Sequence, residues 1–434
     1  MKELKIGAAF VLVFLVAYYL PLSNPEVTAA IVEAFKLLQW YARNHTLACV
    51  VPALFIAGGI ITFLSQASVM RYLGPNSNKA IAYSVAAVSG TILAVCSCSV
   101  LPMFAGIWKL GAGLGPASAF LYSGPAINIL AIFLTARVLG FDIGLARAIG
   151  AVLFAFFVGI GMAAIFRREE KAKMEAAMAM PEPPAAKQAL WQKSLFLGCM
   201  VAFLIFSDWF NPGNAIVYKT DGTAVRGVVL QEMKDEVMIQ VQESGAGVRA
   251  GDRLTLSKSE IDHIEEAKSW VMDVHRIRWY LAGLCGLAVA LMAWRWFDAA
   301  EIREWMHNTW YFAKILIPLL FGGVFIVGFI GALLPEKQIG QLVGDNSLRA
   351  NFFASIVGAL FYFATLTEVP ITQALMEHGM ARGPVVALLL AGPALSLPNM
   401  IVLWKLMGGK KTVAFCSLIV VMSTIAGLIL GPFL

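Results

Sequence analysis

Two cysteines one residue apart, Cys96 and Cys98, lie in the run Cys96-Ser97-Cys98-Ser99-Val100-Leu101-Pro102. Neighbouring thiolates suit soft partners: copper(I), zinc or a trivalent metalloid. In a straight helix, residues two apart point to nearly opposite sides. The pair could then hold one ion only where the chain is extended or unwound, and the Pro that follows favours unwinding. The alternative is that small Cys and Ser side chains let helices pack closely. A second polar cluster, Thr365-Leu366-Thr367-Glu368-Val369-Pro370, also runs into a Pro. An ionisable residue inside a membrane segment marks a functional site by default. Glu368 is therefore a candidate to carry a coupling proton or to bind a cation. The alternative places it at a helix end, paired with His378 or Arg382.

The composition says what must position these groups. Of 434 residues, 59% are hydrophobic and only 14% charged. Soluble domains carry about a quarter charged residues, whereas each membrane-spanning helix needs about 20 mainly apolar ones. The chain is expected to be an all-α polytopic membrane protein. Its net charge of +6 comes without a block of like charge, which gives no support for nucleic-acid binding. Six cysteines in this length are no disulfide framework; Cys49, Cys199, Cys285 and Cys416 read as packed thiols. No Walker sequence is present, so ATP does not drive the chain directly. Neither an enzyme active site nor a cofactor is expected.

The organisation reads as seven stretches. Residues 1–45 hold a first span behind Lys2 and Lys5 and an amphipathic interfacial helix. Residues 46–166 form a first membrane unit, and 167–190 a cytoplasmic linker. A connecting span follows at 191–207. Residues 208–275 form a small β-rich domain of about five antiparallel strands, read from the alternation at Val237, Ile239 and Val241, in a pattern similar to Sm-like barrels. A second connecting span lies within 276–308, and 309–434 forms a second membrane unit. Basic residues at Arg167-Arg168 and Lys410-Lys411 belong in the cytoplasm by the positive-inside rule. That rule also puts the N-terminus there, with 208–275 outside an inner (plasma) membrane. Arg137 and Arg147 are expected to bound a loop.

The two membrane units are related. Pro102 and Pro370, Gly115-Pro116 and Gly383-Pro384, Gly124-Pro125 and Gly392-Pro393 all share the offset 268, as do Gly90 and Gly358. Duplicated halves are the architecture of secondary transporters, and paired Gly/Pro interruptions point to their binding site. Irregular backbone survives at membrane depth only where it is buried or lines a wet cavity. Breaks are expected at Pro102, Gly124, Pro125, Pro370, Gly392 and Pro393. The expected solute ligands are Cys96, Ser97, Cys98, Ser99 and Asn128 on one half, and Thr367, Glu368, Ser396 and Asn399 on the other. If the short apolar runs 99–111 and 369–380 cross the membrane, the halves are inverted, and this is the favoured reading. If those runs re-enter, the halves are parallel.

The Cys-Ser-Cys run, followed by Lys109-Leu110-Gly111 and by Ala119-Phe120-Leu121-Tyr122-Ser123-Gly124-Pro125-Ala126-Ile127-Asn128, resembles the predicted-permease family that includes the organoarsenical efflux permeases. The likeness covers both membrane units and leaves out the β-rich stretch. It departs from the family pattern at Ser99, where Gly is common, and in the lack of cysteine from the second copy. The resemblance implies a multispan permease exporting a small solute, a soft trivalent metalloid or organoarsenical, bound by the Cys96 and Cys98 thiols. Two alternatives stand beside it. One is a thiol-redox carrier, which would need a cysteine where the second half has Ala364 and Leu366; the other is a permease for an unrelated anion or metal ion. Besides solute and lipid, a second copy of the chain and an extracytoplasmic protein on 208–275 are candidate partners.

Overall fold

In the computed structural model, the described residues are 24–64, 77–93, 97–170, 188–209, 214–232, 236–241, 253–267, 270–333, 342–361, 368–377 and 379–434, with positions 14, 18, 21, 69, 73, 74 and 172 between them. Most of the expected first span, most of the linker and residues Cys96 and Thr367 lie outside them.

Helix α1 (Pro25–Tyr41) starts where the Asn24 side chain accepts the Glu26 N–H at 2.9 Å. It does not end before the membrane unit. A π-helical stretch, Ala42–Val50, joins it to α2 (Val51–Phe63). Pro52 cannot donate to the Ala48 carbonyl, and the Ser207 hydroxyl donates to that oxygen instead, at 2.5 Å. After α2 come α3 (Lys79–Leu93), α4 (Ser97–Lys109), α5 (Leu114–Ala126), α6 (Ile129–Val138) and α7 (Phe141–Ile165). The expected connecting span is α8 (Leu190–Ser207).

Residues 214–266 form a five-stranded antiparallel sheet in the order β4-β3-β2-β1-β5. The strands are β1 (Asn214–Lys219), β2 (Ala224–Glu232), β3 (Glu236–Val241), β4 (Arg253–Ser257) and β5 (Ile261–Glu266). Val217, Val237, Ile239 and Leu256 make its small core. The sheet is open, with β4 and β5 as its edges. It leads into α9 (Trp270–Trp296) and the long α10 (Ala299–Leu333). Then follow α11 (Leu348–Leu360), α12 (Glu368–Glu377), α13 (Arg382–Ala391), α14 (Leu397–Met407) and α15 (Gly409–Leu430).

Among the described residues, five helices are long and apolar enough to cross a membrane: Thr46–Phe63, Phe141–Ile165, Val271–Trp296, Ala299–Ala332 and Gly409–Phe433. Their outward faces are apolar. Tyr280, Leu284, Leu287, Leu291 and Trp294 of α9 are all exposed, as expected where the surrounding solvent is hydrocarbon. The α1–α2 helix packs along α10. That contact is tight at Gly58, where a Cβ would stand 2.9 Å from the Thr309 nitrogen, and at Gly328, where it would stand 2.8 Å from the Ala34 Cα.

Local geometry recurs at the offset 268. Helices α5, α6 and α7 begin at Leu114, Ile129 and Phe141, and α13, α14 and α15 at Arg382, Leu397 and Gly409. Gly111 and Gly379 take φ of 99° and 97°, and Gly140 and Gly408 take 117° and 84°. These positive φ values end one helix and start the next at matching points, and glycine reaches them without a Cβ penalty. The Gly113 amide donates to the Leu73 carbonyl at 2.8 Å, and the Ala381 amide to Val343 at 2.9 Å. A Cβ on Gly159 would lie 2.8 Å from the Gly115 oxygen; one on Gly427 would lie 2.6 Å from the Gly383 oxygen.

These contacts fix directions. Leu73 meets Gly113, and further along Ala86 meets Ser123 (3.3 Å), so α3 and α5 run in parallel. By the same logic Val343 meets Ala381 and Gly358 lies against Leu388, so α11 and α13 run in parallel. The helices between them, α4 and α12, must therefore run back. Pairs α3/α4 and α11/α12 are hairpins that enter and leave at one end. Run 79–93 is the first arm of its hairpin, and the short run 99–111 lies in the arm that returns.

Two of the expected proline breaks are absent, whereas the helix before Gly392-Pro393 does end there. Pro102 lies inside α4, Pro125 inside α5 just before its end, and Pro370 is the third residue of α12. In the first helical turn the missing N–H costs no bond, so Pro370 fits without a break. The interruption after Gly124-Pro125 falls at Ile127-Asn128, and the one at Gly392-Pro393 runs to Ser396.

Candidate functional site

The half-helices meet crosswise. Helix α12 of the second half packs on α6 of the first, and α4 of the first packs on α14 of the second. The sequence-predicted ligands that the structure describes fall at these two junctions.

The α6–α12 junction holds Asn128 and Glu368. Asn128 caps α6, its Oδ1 accepting the Ala131 N–H at 3.3 Å. Glu368 opens α12 and is only 1% exposed. Its Oε2 accepts from Arg147 Nη2 at 2.8 Å. Arg147 projects from α7, is 1% exposed, and donates through Nη1 to Thr135 Oγ1 at 2.8 Å. The Thr135 hydroxyl in turn donates to the Ala131 carbonyl at 2.7 Å. Glu368 Oε1 and Arg147 Nε have no hydrogen-bond partner among the described residues. This corrects two expectations. Arg147 does not bound a loop but lies seventh in a 25-residue apolar helix. Glu368 is paired with Arg147 and not with Arg382; His378 lies outside the described residues. The position of Arg147 carried the missed signal, since an arginine inside a membrane segment is rare and turns inward to a partner.

The α4–α14 junction holds Ser97, Cys98 and Ser99 at the start of α4, with Ser396 and Asn399 at the start of α14. Ser97 is half-buried and Ser99 buried. Cys98 is helical, so the pair is not wholly in unwound chain; its side chain and Cys96 lie outside what the structure describes. Ser396 caps α14, its Oγ accepting the Asn399 N–H at 3.4 Å. Asn399 is 1% exposed, and neither end of its carboxamide has a partner among the described residues. Leaving such a group unsatisfied costs about 1–3 kcal/mol. Among the described residues no three His, Cys, Asp or Glu side chains cluster as a metal site.

Between the junctions, Tyr122 is buried, and its hydroxyl donates to the Leu390 carbonyl at 3.0 Å. These two residues are themselves related by the offset 268. The contact satisfies a carbonyl at the end of α13, where Gly392-Pro393 interrupts the helix.

Membrane-length apolar helices around buried half-helices and a buried ion pair define a multi-pass membrane protein. The chain belongs to the family described as predicted permease, whose model matches residues 31–183 and 223–432, and it is thereby a membrane transporter. Among its relatives is the UPF0718 protein MJ0584 of Methanocaldococcus jannaschii, 39% identical over 399 residues, which are 91% of this chain and 94% of that protein. The UPF0718 protein YraQ of Escherichia coli (strain K12) is 32% identical over 124 residues, 29% of this chain and 35% of that protein. No solved structure matches the chain.

Proposed function

We propose that this permease exports a small soft solute, a trivalent metalloid or organoarsenical, by alternating access between two inverted halves. The observation that carries the reading is the crosswise meeting of half-helices, each junction taking one element from each half; the described residues expected to hold solute stand at the starts of those helices. Inversion is supported by direction. The start of α15 lies at the end of α7, with Lys411 bonded to Glu169 and Leu418 against Gly161, so the equivalent helices run oppositely. Solute binds through Cys96 and Cys98, with Ser97, Ser99, Asn128, Thr367, Ser396 and Asn399 around it, and Glu368 carries the coupling proton. Asn399, buried with its carboxamide idle, is the ligand the geometry favours most on the second half. The N-terminus and 167–190 face the cytoplasm of an inner membrane, and the 208–275 sheet lies outside.

The test is binding of phenylarsine oxide, copper(I) and zinc to purified protein, wild type beside Cys96→Ser/Cys98→Ser. Tight binding of one ligand that the double variant loses supports the thiol site. Binding of none, or binding indifferent to the change, removes it.

A further inference from the structure

The buried pair has no counterpart across the repeat. At the offset 268, Glu368 corresponds to Val100, Thr135 to Leu403 and Arg147 to Phe415. All three counterparts are apolar, each at most 1% exposed. One junction is therefore bridged by a charge-assisted chain, Glu368 to Arg147 to Thr135, and the matching positions of its mate are hydrocarbon. The charged side chains come from different halves, Arg147 from α7 and Glu368 from the tip of the α11/α12 hairpin. A motion that moves α12 away from α6 and α7 must part them. Burying two charges is repaid only by good mutual geometry and bonding, so parting them without water or a new partner is costly. Closing by hydrocarbon carries no such directional cost.

We propose that Arg147 is a positioning residue for transport: with Glu368 it forms a one-sided latch that keeps the α6–α12 junction closed more of the time than the α4–α14 junction. In two related halves, exchanging the halves' conformations would otherwise give two states of similar free energy. The latch breaks that degeneracy and sets the resting state. Substrate or proton arriving at Glu368 competes with Arg147 for the carboxylate and so releases it. This rests on the alternating-access reading above.

Hydrogen-exchange mass spectrometry on the full chain in lipid nanodiscs reads the latch directly. Couplings between sites typically correspond to about 5- to 150-fold in an equilibrium. In the wild type, amides of α6 and α12 should exchange about tenfold slower than the matched amides of α14 and α4. In Arg147→Met/Glu368→Met, whose pair resembles the apolar mate and leaves no lone buried charge, the difference should fall to about twofold or less. The reversed pair, Arg147→Glu/Glu368→Arg, should restore it. Equal exchange in the wild type, or an undiminished difference in the double Met variant, would overturn the latch. A brace without conformational bias would instead loosen α7 and both junctions together. The transport reading fails separately, if folded wild-type protein in proteoliposomes moves no phenylarsine oxide; Glu368→Gln transport equal to the wild type removes only the coupling role of Glu368.

Discussion

The two crosswise junctions are built from the same elements and use them differently. At the α6–α12 junction, an Arg, a Glu and a Thr are buried and bonded to one another. At the α4–α14 junction, the matching positions are Phe415, Val100 and Leu403, and the polar groups stand instead at the helix starts: Ser97, Ser99, Ser396 and Asn399. One junction has satisfied most of its polarity internally, and the other keeps a buried carboxamide open. A duplicated fold thus separates two tasks by side chain alone: the charged junction is suited to hold and release, the neutral one to receive a solute.

The largest effects should come from unbalancing the charged junction. Glu368→Ala leaves a guanidinium buried without its partner, and loss of about 3–5 kcal/mol of stability is expected, read as a lowered unfolding midpoint in detergent. Arg147→Met/Glu368→Met should recover most of it, because removing both charges of a buried pair is often neutral. The neutral junction gives the converse. Val100→Glu places a lone carboxylate among apolar neighbours and should destabilise by a similar amount, with Val100→Glu/Phe415→Arg partly restoring the protein.

Smaller effects should follow at the contacts the junctions share. Gly159→Ala and Gly427→Ala each force a Cβ onto a carbonyl oxygen, at 2.8 and 2.6 Å, and overpacking of this kind costs about 1–3 kcal/mol. Near-equal losses in the two variants would sharpen the kinship of the halves, and a large disparity would weaken it. Tyr122→Phe leaves the Leu390 carbonyl without its donor, for an expected loss of about 1 kcal/mol.

The smallest effect lies in the β-sheet. The Asp221 carboxylate accepts from the Thr223 N–H (2.8 Å) and hydroxyl (2.5 Å) in the β1–β2 turn, which holds it below its ordinary value. Because the folded value is depressed, this contribution is present above the unfolded value and is lost as pH falls through the folded one. Asp221→Asn should flatten only that acidic limb of the sheet's stability profile.

Much of the helical frame was legible because hydropathy reports burial in lipid directly, and the offset of 268 was visible because Gly and Pro mark turns and close approaches wherever they fall. The β strands were legible from the period-two pattern at Val237, Ile239 and Val241. The hairpin form of α3/α4 was not. It is shown only by the Leu73–Gly113 and Ala86–Ser123 contacts, which make α3 and α5 parallel. Pro102 misled for a local reason: proline removes one bond, and the rest of α4 keeps the helix. Glu368 stood out as an acid in an apolar run. Arg147 was assigned to a loop because it lies near an apolar helix's start, and its partner is 221 residues away, beyond any local pattern.

The most direct measurement is transport itself: phenylarsine oxide accumulation in sealed proteoliposomes under an imposed proton gradient, with wild type, Cys96→Ser/Cys98→Ser and Glu368→Gln side by side. Gradient-dependent accumulation by the wild type, lost in both variants, is the predicted result. Accumulation that neither variant alters, or none by a folded wild-type protein, would contradict the assignment of thiols and carboxylate to one transport site.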